Sequence, residues 1–547
     1  MARQFHRTGG LRPSRTAFNL THSRMSCCDL GELVPICCEQ MNTGDTFIIN
    51  FEHVARFHPL ITPLMHEINL FTHWFFVPNR LLMDIQNNLF GPGYNVANYP
   101  SQNVSDWELF ISGGVDGTGR AWNNLPSALP RWNPTPQDLT LYSLWDYFCF
   151  PVVLDQIPPV NSPRLPVAFP KRAYNLVFNE NFRDQELQER VDWNQRAVLR
   201  RNWAKDYYTS ALLERQRGPN LAIPLYTGAL PIVESGQTVT VPTSGSRALR
   251  MANAGPVFSR AYMGPLDNTD AATHQSGIAA MGAIQGSFDW HDIREIAQVT
   301  KWMERNQRAG VRYTEFLNAH FGVSPRDERL MRPEYIGGTK SPINICEVLN
   351  TSTGAGSGAP TPLGVSPQGN MSGHGLCASD GYVGTYKAYE YGILIGIMSI
   401  MPETVYEDGI DRQWLQQTRF DYYFPEFAHL SEQGVFNGEV FYTGTPADMN
   451  IFGFQGRYDE YRWRASRVSG EFRTKVSQGF QTLSYWHLAR SFDVPPSLNE
   501  SFIMSRPDTD RVVAVRGVKP IMYNVRNKIK AIRAMPAMAE PGNIDHY

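Results

Sequence analysis

The stretch HEINLFTHWFFV, residues 66 to 77, carries the clearest fold signal in the chain. Apolar side chains fall on one side of it at every second position, and polar ones fall on the other side. The apolar positions are Ile68, Leu70, Trp74 and Phe76, and the polar positions are Glu67, Asn69 and His73. Alternation with period two is typical of a strand that buries one face. The stretch therefore predicts a half-buried β-strand.

Further strands are predicted on both sides of this one. The strand candidates are residues 46–51, 391–401, 438–443, 457–468 and 511–515. Helical periodicity is confined to the middle of the chain, at residues 138–149, 181–191, 203–217 and 290–308, and the last of these begins after Asp289 and stops at Gly310. These helices are too few for a bundle. Strands at both ends with helices between them favour a sandwich of Greek-key or jelly-roll type, in which early strands pair with late ones.

Composition supports a mainly β globular protein. Of the 547 residues, 42% are hydrophobic and 19% charged, which excludes a disordered polymer and a coiled coil. Abundant Gly (44), Pro (38), Phe (30) and Tyr (24) favour short strands joined by turns. Two stretches have the composition of insertions: residues 217–286 are rich in Gly, Ala, Pro and Thr, and residues 351–381 form a Gly/Ser-rich loop candidate.

Charge is balanced overall but concentrated at the two ends. The formal net charge is −2, whereas residues 1–28 and 511–533 contain bases and no acids. Bases neutralise phosphates and an aromatic ring among them can stack on an unpaired base, so these ends are the candidate nucleic-acid contacts. The candidates are Arg511, Arg516, Lys519, Tyr523, Arg526, Lys528, Lys530 and Arg533 near the carboxyl end, and Arg3, Arg7, Arg12 and Arg15 near the amino end. A solvated charged edge is the alternative interpretation.

Motifs of enzymes and metal sites fail on their spacing. Residues 337–341 (GGTKS) lack the Gly that a phosphate loop needs before its Lys, and neither a GxSxG nor an HExxH sequence occurs. The pairs Cys27–Cys28 and Cys37–Cys38 do not have zinc-ribbon spacing, and seven cysteines do not make a disulfide framework, so buried thiols are expected. The amino end lacks a secretory signal, and the longest apolar run is too short for a membrane helix. We expect no cofactor, no metal and synthesis in a cytoplasm.

Several blocks of the sequence, in order along the chain, resemble a known family. They include LGELVPI at 30–36, HWFFVPNRLL at 73–82, KDYYTSA at 205–211, RPEYIGG at 332–338 and YYFPE at 422–426. Together with blocks at 43–47, 172–175, 312–316 and 485–487, they resemble the major capsid proteins of microviruses, in the gokushovirus-like branch. These viruses are small bacteriophages with a circular single-stranded DNA genome.

This resemblance implies a single eight-stranded antiparallel jelly roll over residues 1–547, with long loop and helical insertions. It implies a structural subunit without enzymatic activity, which assembles with itself into a T=1 icosahedral virion shell with pentameric contacts. The basic arm 1–28 and the basic segment 511–547 would face the DNA, and residues 217–286 would project from the surface. A small basic DNA-binding virion protein is a further implied partner, assembly would take place in the bacterial cytoplasm, and no membrane is involved.

The abundance of aromatic residues leaves a second function class open. Aromatic rings on a β-sandwich are also compatible with a carbohydrate-binding or carbohydrate-active protein. Sugar affinity of the isolated monomer would favour this alternative, whereas assembly into a shell would favour the structural subunit.

Overall fold

The computed structural model describes residues 14–82, 129–160, 162, 164–218, 232–234, 238–239, 274–275, 278–280, 290–309, 313–323, 326, 331–349, 371–475 and 482–538. The chain divides into two units. The first comprises Met1–Arg215 with Gln307–Tyr547, and the second comprises Gln216–Asn306. The second unit therefore interrupts the single domain expected for residues 1–547, and it encloses the 217–286 segment.

The strands of the first unit are β1 (Thr16–Asn19), β2 (His22–Cys28), β3 (Val34–Met41), β4 (Thr46–Phe57), β5 (Ile68–Pro78), β10 (Glu334–Pro342), β11 (Asn344–Leu349), β12 (Met371–Lys387), β13 (Gly392–Pro402), β14 (Val405–Tyr406), β15 (Glu432–Phe436), β16 (Ile451–Gly456), β17 (Ser466–Arg467) and β18 (Ile521–Arg533). The second unit contains β6 (Ile232–Glu234), β7 (Thr238–Val239), β8 (His274–Gln275) and β9 (Ile278–Ala280), in which β6 pairs with β9 and β7 with β8.

The helices are α1 (Leu144–Tyr147), α2 (Phe169–Val177), α3 (Trp290–Ala309), α4 (Tyr313–Phe321), α5 (Asn437–Val440) and α6 (Glu500–Ile503), and a π-helical turn, Phe178–Phe182, follows α2. Within the described residues no helix is both long enough and apolar enough to cross a membrane.

Two antiparallel sheets organise the first unit. The larger sheet has the order β1-β18-β4-β12-β11, with β2 also paired to β18, and the smaller sheet has the order β10-β5-β13-β3. Successive strands β2, β3, β4 and β5 alternate between the two sheets, and the last strand, β18, lies between β2 and β4. Pairing of the earliest strands with the latest is the jelly-roll arrangement. The prediction of a mainly β antiparallel jelly roll is confirmed, although the sheets have six and four strands.

The facing sides of the two sheets form the main core. Phe47, Ile49 and Phe51 of β4 pack in the same cluster as Leu70 and Trp74 of β5, all of them fully or almost fully buried. Burying large side chains stabilises each by about 1.5–3 kcal/mol. The thiols of Cys28 and Cys37 also lie in this cluster, where burial raises their pKa, as expected for structural cysteines.

Strands β5 and β13 of the smaller sheet are buried on both faces over most of their length, which corrects the expectation of a half-buried strand at residues 66–77. Phe75 and Val77 of β5 point away from the main core and pack against Trp132 and Tyr174. Helix α2 supplies part of this second layer, and it also covers β13, of which every residue is buried. Because a helix covers the outer side of these strands, that side is apolar rather than polar, and the simple alternation of a half-exposed strand is lost.

The predicted Gly/Ser-rich loop at 351–381 is wrong for its last part, because residues from Met371 onward belong to β12. Residues 351–370 lie outside the described residues. The glycines of β12 permit close packing. A Cβ atom on Gly373 would lie 2.7 Å from the Pro63 Cα, and one on Gly375 would lie 2.5 Å from Cδ2 of Phe57. Glycine therefore marks a tight strand contact here rather than a flexible segment.

Replacement of Gly373 by Ala is expected to destabilise the subunit by about 1–3 kcal/mol, because the new methyl group would collide with backbone atoms that cannot rotate away. Urea unfolding of the purified subunit measures this change. Gly381→Ala is the matched control on the same strand, since its nearest neighbour would be 3.7 Å away. Equal stability of the two variants would contradict the packing argument.

Two predicted helices are absent, and local side-chain hydrogen bonds explain the first of them. Residues 203–217 form turns, because the Asp206 carboxylate accepts from the backbone N–H groups of Tyr208 (3.0 Å) and Thr209 (2.8 Å). The helix predicted at 181–191 is also wrong, since α2 and its π-helical turn end at Phe182. The prediction at 290–308 is confirmed by α3, and the one at 138–149 corresponds to the short helix α1.

Three predicted strands are corrected, and both predicted basic segments contain strands. Residues 438–443 begin in α5, residues 457–468 contain only the short β17, and residues 511–515 form a turn. The arm predicted at 1–28 forms β1 and β2 from Thr16 onward, and the segment predicted at 511–547 contains the central strand β18. Alternate side chains of β18, most of them apolar, enter the core, as in a strand of a sheet that buries one face.

Candidate nucleic-acid and subunit interfaces

Strand β18 presents its side chains alternately to the core and to solvent, and this divides the predicted site residues. Tyr523 is 6% exposed and belongs to the core cluster, where burial raises the pKa of its hydroxyl strongly. A ring in this position has no free face for a nucleic-acid base. The prediction that Tyr523 stacks on DNA is therefore wrong.

Three predicted bases serve the fold instead. Arg511 donates to the carbonyl oxygens of His487 (3.1 Å) and Ala489 (2.9 Å), and Lys519 forms an ion pair with Glu32. Arg533 lies 3.3 Å from the buried carboxylate of Asp45 and donates to the Gln40 carbonyl at 3.0 Å. Removing one partner of such a partly buried ion pair or hydrogen bond leaves the other partner unsatisfied and destabilises the fold, so these three residues are structural.

The remaining candidates are exposed or undescribed. Arg516 lies exposed before β18, and Arg15 lies exposed just before β1. Arg3, Arg7 and Arg12 lie outside the described residues.

Arg526, Lys528 and Lys530 project from the solvent side of the larger sheet. There they join outward-pointing side chains of β4 and β12 in what we call the outer face. It consists of Asn524, Arg526, Lys528 and Lys530 of β18, Asn50, Glu52, Val54 and Arg56 of β4, and Ala378, Asp380 and Tyr382 of β12. These residues are brought together by the pairing of β18 with β4 and of β4 with β12.

The two acids of the outer face both contact one lysine. Arg526, Glu52 and Asp380 lie side by side in register across three strands. The Lys528 ammonium lies 2.9 Å from a Glu52 carboxylate oxygen and 2.8 Å from one of Asp380, and these hydrogen bonds raise the pKa of Lys528. Arg526 is more loosely placed, 3.8 Å from Glu52.

Two further bases of the outer face are exposed: Arg56, and Lys530 at the other end of the same surface. For neither does the described part of the chain show an ion-pair partner. The face has four bases against two acids. Its Tyr382 ring is 62% exposed and lies in the next register row, beside Asn50 and Lys528. Bases with an exposed ring and amides on a flat sheet can bind unpaired nucleotides by charge and stacking.

Sequence reasoning missed Arg56, Asn50 and Tyr382. Almost the whole length of the chain separates β4 from β18, so no local window contains both. The only usable signal was the period-two alternation in each strand, which assigns these positions to the same side once the pairing is known.

A second exposed surface lies on residues 412–430, between β14 and β15. Its rings are unusually exposed: Trp414 by 74%, Phe420 by 50%, Tyr422 by 57%, Tyr423 by 55% and Phe424 by 42%. We call these five rings the aromatic surface. Clustered exposed aromatic residues on a soluble protein indicate an interaction site.

The backbone that carries the aromatic surface is fixed by hydrogen bonds. Asp421 accepts from the backbone N–H of Thr418 at 2.7 Å and closes one turn. Arg457 donates to the Phe420 carbonyl at 2.8 Å, and the hydroxyl of Tyr458 donates to the Tyr422 carbonyl at 3.0 Å. The rings are thus held outward before any partner arrives, which lowers the entropy cost of binding.

A pair of buried carboxylates shares one arginine beside this segment. Arg412 Nη1 lies 3.0 Å from Glu439 Oε1, and its Nε lies 3.7 Å from Glu460 Oε1. Gln433 donates to the other oxygen of Glu460 at 2.5 Å. Burial raises the pKa of Glu439 to about 7, against the opposing effect of Arg412. Among the described residues no three His, Cys, Asp or Glu side chains are grouped closely enough to hold a metal ion.

Comparison with known proteins identifies the family of the chain. The model of the capsid protein (F protein) family matches residues 9–543. The chain belongs to this family.

Individual members of the capsid protein (F protein) family are similar over nearly their full length. Capsid protein VP1 of Chlamydia phage 1 is 31% identical, covering 96% of this chain and 95% of the relative. Capsid protein VP1 of Bdellovibrio phage phiMH2K is 28% identical over 92% of this chain and 90% of the relative, and that of Spiroplasma virus 4 is 24% identical over 96% and 95%.

Membership in the capsid protein (F protein) family confirms the predicted identity of the chain as a phage coat protein that self-assembles into a shell. It also confirms the predicted virion location, and the family consists of structural proteins rather than enzymes. The alternative of a carbohydrate-active sandwich is therefore dropped.

Proposed function

We propose that this chain assembles into a T=1 icosahedral shell with pentameric contacts around a circular single-stranded DNA genome. The outer face, which is the solvent side of the larger sheet in the single subunit, would line the interior of this shell and face the DNA. The observation that carries the proposal is the position of Arg56, Arg526, Lys530 and Tyr382 on one solvent-facing side of the larger sheet. Bases on that side attract phosphates, and the ring offers a stacking surface that tolerates any sequence.

The aromatic surface, in this proposal, binds a second copy of the subunit. A buried aromatic side chain contributes roughly 150–250 Å². At the exposures of 42–74% found here, the five rings supply roughly 500 Å². One partner in a stable interface contributes about 800 Å², so the rings account for more than half of such a contact. Trp and Tyr are also the residues most often found to dominate binding energy.

The amino-terminal bases and the second unit complete the proposal. Arg3, Arg7, Arg12, Arg15 and Arg516 would add phosphate contacts, and a small basic DNA-binding virion protein would neutralise further charge. Residues 217–286 would project from the outer surface of the particle. Their removal would leave the sheets intact, because a long insertion costs little loop-closure entropy.

The DNA contact is tested by replacing Arg56, Arg526 and Lys530 with Gln. Each phosphate contact to a single strand contributes about 0.7 to the slope of log K against log salt, so loss of all three is expected to reduce that slope by about 2. Titration of the purified subunit with a labelled oligonucleotide at several salt concentrations measures it. Lys528 and Arg533 are left unchanged, because their ion pairs support the sheet.

The matched control replaces Arg164, Arg305 and Arg506, which are equally exposed but lie elsewhere, with Gln. This control is expected to keep the wild-type slope. An unchanged slope in the outer-face variant, or the same loss in both variants, would show that the outer face is not where the DNA binds.

A further inference from the structure

A cavity of about 720 Å³ opens on the side of the smaller sheet that faces away from the main core. Phe71, His73 and Phe75 of β5 and Tyr335 of β10 line it on one side, and residues 181–187 and 201–205 line it on the other. A volume of this size is typical of sites for small ligands. The cavity and the outer face are formed by different sheets, so a strand bound along the outer face does not fill it.

One arginine in the cavity lacks the counter-charge that a buried guanidinium normally has. Arg201 donates Nη1 to the Ser399 hydroxyl at 3.0 Å and lies 4.5 Å from the Phe71 ring centre. No carboxylate within ion-pair distance of Arg201 is found among the residues that the structure describes. The preceding residue shows the contrast, because Arg200 lies 2.6 Å from Asp29 and 3.9 Å from Glu32. A partly buried positive charge without a partner is costly, and an anion would offset that cost.

A histidine beside this arginine is incompletely satisfied as well. The Nε2 atom of His73 is buried and has no hydrogen-bond partner within the described segments. The ring of His73 lies 5.6 Å from that of Phe182 and 6.0 Å from that of Tyr335. Burial and the nearby Arg201 lower the pKa of His73 to about 4, so the imidazole is neutral at pH 7 and can donate one N–H.

Two other bases that line the cavity are already paired, and the carboxylates of Glu186 and Glu315 also line it. Lys205 pairs with Asp184, and Arg308 pairs with Glu432. Among the donors of the cavity, the guanidinium of Arg201 therefore has no carboxylate partner within the described residues, and the imidazole of His73 lies beside the Tyr335 hydroxyl. A Cβ atom on Gly338 would lie 2.7 Å from that hydroxyl and 3.3 Å from His73 Nδ1, so glycine leaves room for both groups.

We propose that this cavity binds a small molecule in which a carboxylate or phosphate group is attached to a ring. The anion would bind Arg201 through paired N–H donors and accept from His73 and from the Tyr335 hydroxyl, and the ring would pack among Phe71, Phe75 and Phe182. Two sources supply this chemistry: a nucleotide from the packaged genome and an acidic sugar from a cell surface. The site belongs to the folded subunit and does not depend on shell assembly.

Isothermal titration of the unassembled subunit with deoxyadenosine monophosphate and with glucuronate tests the proposal. At least one of the two is expected to bind about tenfold or more tightly than its neutral counterpart, deoxyadenosine or glucose. Preference for the nucleotide points to the genome as the source, and preference for the uronate points to a cell surface. Equal affinities for charged and neutral partners would overturn the proposal.

Variants connect the binding to the named residues. Arg201→Gln is expected to weaken binding of the anion about tenfold or more, while Arg164→Gln, a change at an exposed arginine elsewhere, leaves it unchanged. Tyr335→Phe is a second variant for the case in which Arg201→Gln does not fold. It removes only one hydroxyl from a half-exposed ring, so the subunit is expected to fold and to bind the anion severalfold more weakly. Full affinity in a folded Arg201→Gln or in Tyr335→Phe would overturn the proposal.

Discussion

A subunit in which Trp414, Tyr422 and Tyr423 are replaced by Ala is expected to remain folded but to lose assembly at concentrations where the wild type forms shells. The three rings are 55–74% exposed, so their truncation removes little from the core of the monomer. In a contact between copies, truncating such a residue costs about 2 kcal/mol or more. Even a total of about 3 kcal/mol per contact raises the concentration needed for assembly about a hundredfold.

Sedimentation and electron microscopy of the purified subunit measure assembly, and urea unfolding confirms that the variant monomer is intact. The control replaces Leu141, Phe321 and Tyr389, which are 68–71% exposed and lie outside the aromatic surface, with Ala. It is expected to assemble as the wild type does. If the aromatic variant forms normal shells that no longer adsorb to host cells, the surface binds the host rather than another subunit. If the wild type itself never assembles, the fault lies with the proposed function and not with the choice of surface.

The sequence predicted the parts of the fold in which alternation is plain. Strand β5 is predicted from apolar residues at period-two spacing, β4 and β13 are predicted as strand candidates, and the helix at Trp290–Ala309 is predicted from its cap and stop. Strand β12 was missed because its glycines were interpreted as loop residues. Their small size serves a tight contact with Pro63 and Phe57, which lie more than 300 positions earlier in the chain.

The site could be predicted only in part, because charge alone does not reveal which acids face which bases. Arg526 and Lys530, two of the predicted nucleic-acid contacts, lie exposed on the sheet. Arg533 and Lys519 carry the same charge but contact Asp45 and Glu32, which become neighbours only after the sheet has formed. Alternating apolar residues between Ile521 and Ala531 did signal that β18 is a strand, and they would have assigned Tyr523 to the core.

Glu439, beside Arg412, makes stability depend on pH in a direction opposite to that of an ion-paired acid whose pKa is lowered on folding. Burial raises the pKa of Glu439 from 4.5 to about 7 in the folded protein. Between these values the folded subunit keeps a proton that the unfolded chain releases. The stabilising contribution is therefore fully present below pH 4.5 and is lost as the pH rises to about 7. At about 1.4 kcal/mol for each pKa unit, the loss is about 3 kcal/mol.

Glu439→Gln isolates this effect, because the amide oxygen can still accept from the Phe436 N–H and from Arg412 but cannot titrate. His53 and His73, whose pKa values are lowered to about 4, act in the opposite direction, and their stabilising contribution is lost as the pH falls below about 6.5. Their effect is the same in both proteins and cancels in the difference. Relative to the variant, the wild type is thus expected to lose about 3 kcal/mol of unfolding free energy between pH 4.5 and 7, measured by urea titration. The control Glu471→Gln changes an exposed carboxylate, and its unfolding free energy is expected to change with pH as that of the wild type does. If the unfolding free energy of Glu439→Gln also follows the wild type, Glu439 is not the group responsible for this pH dependence.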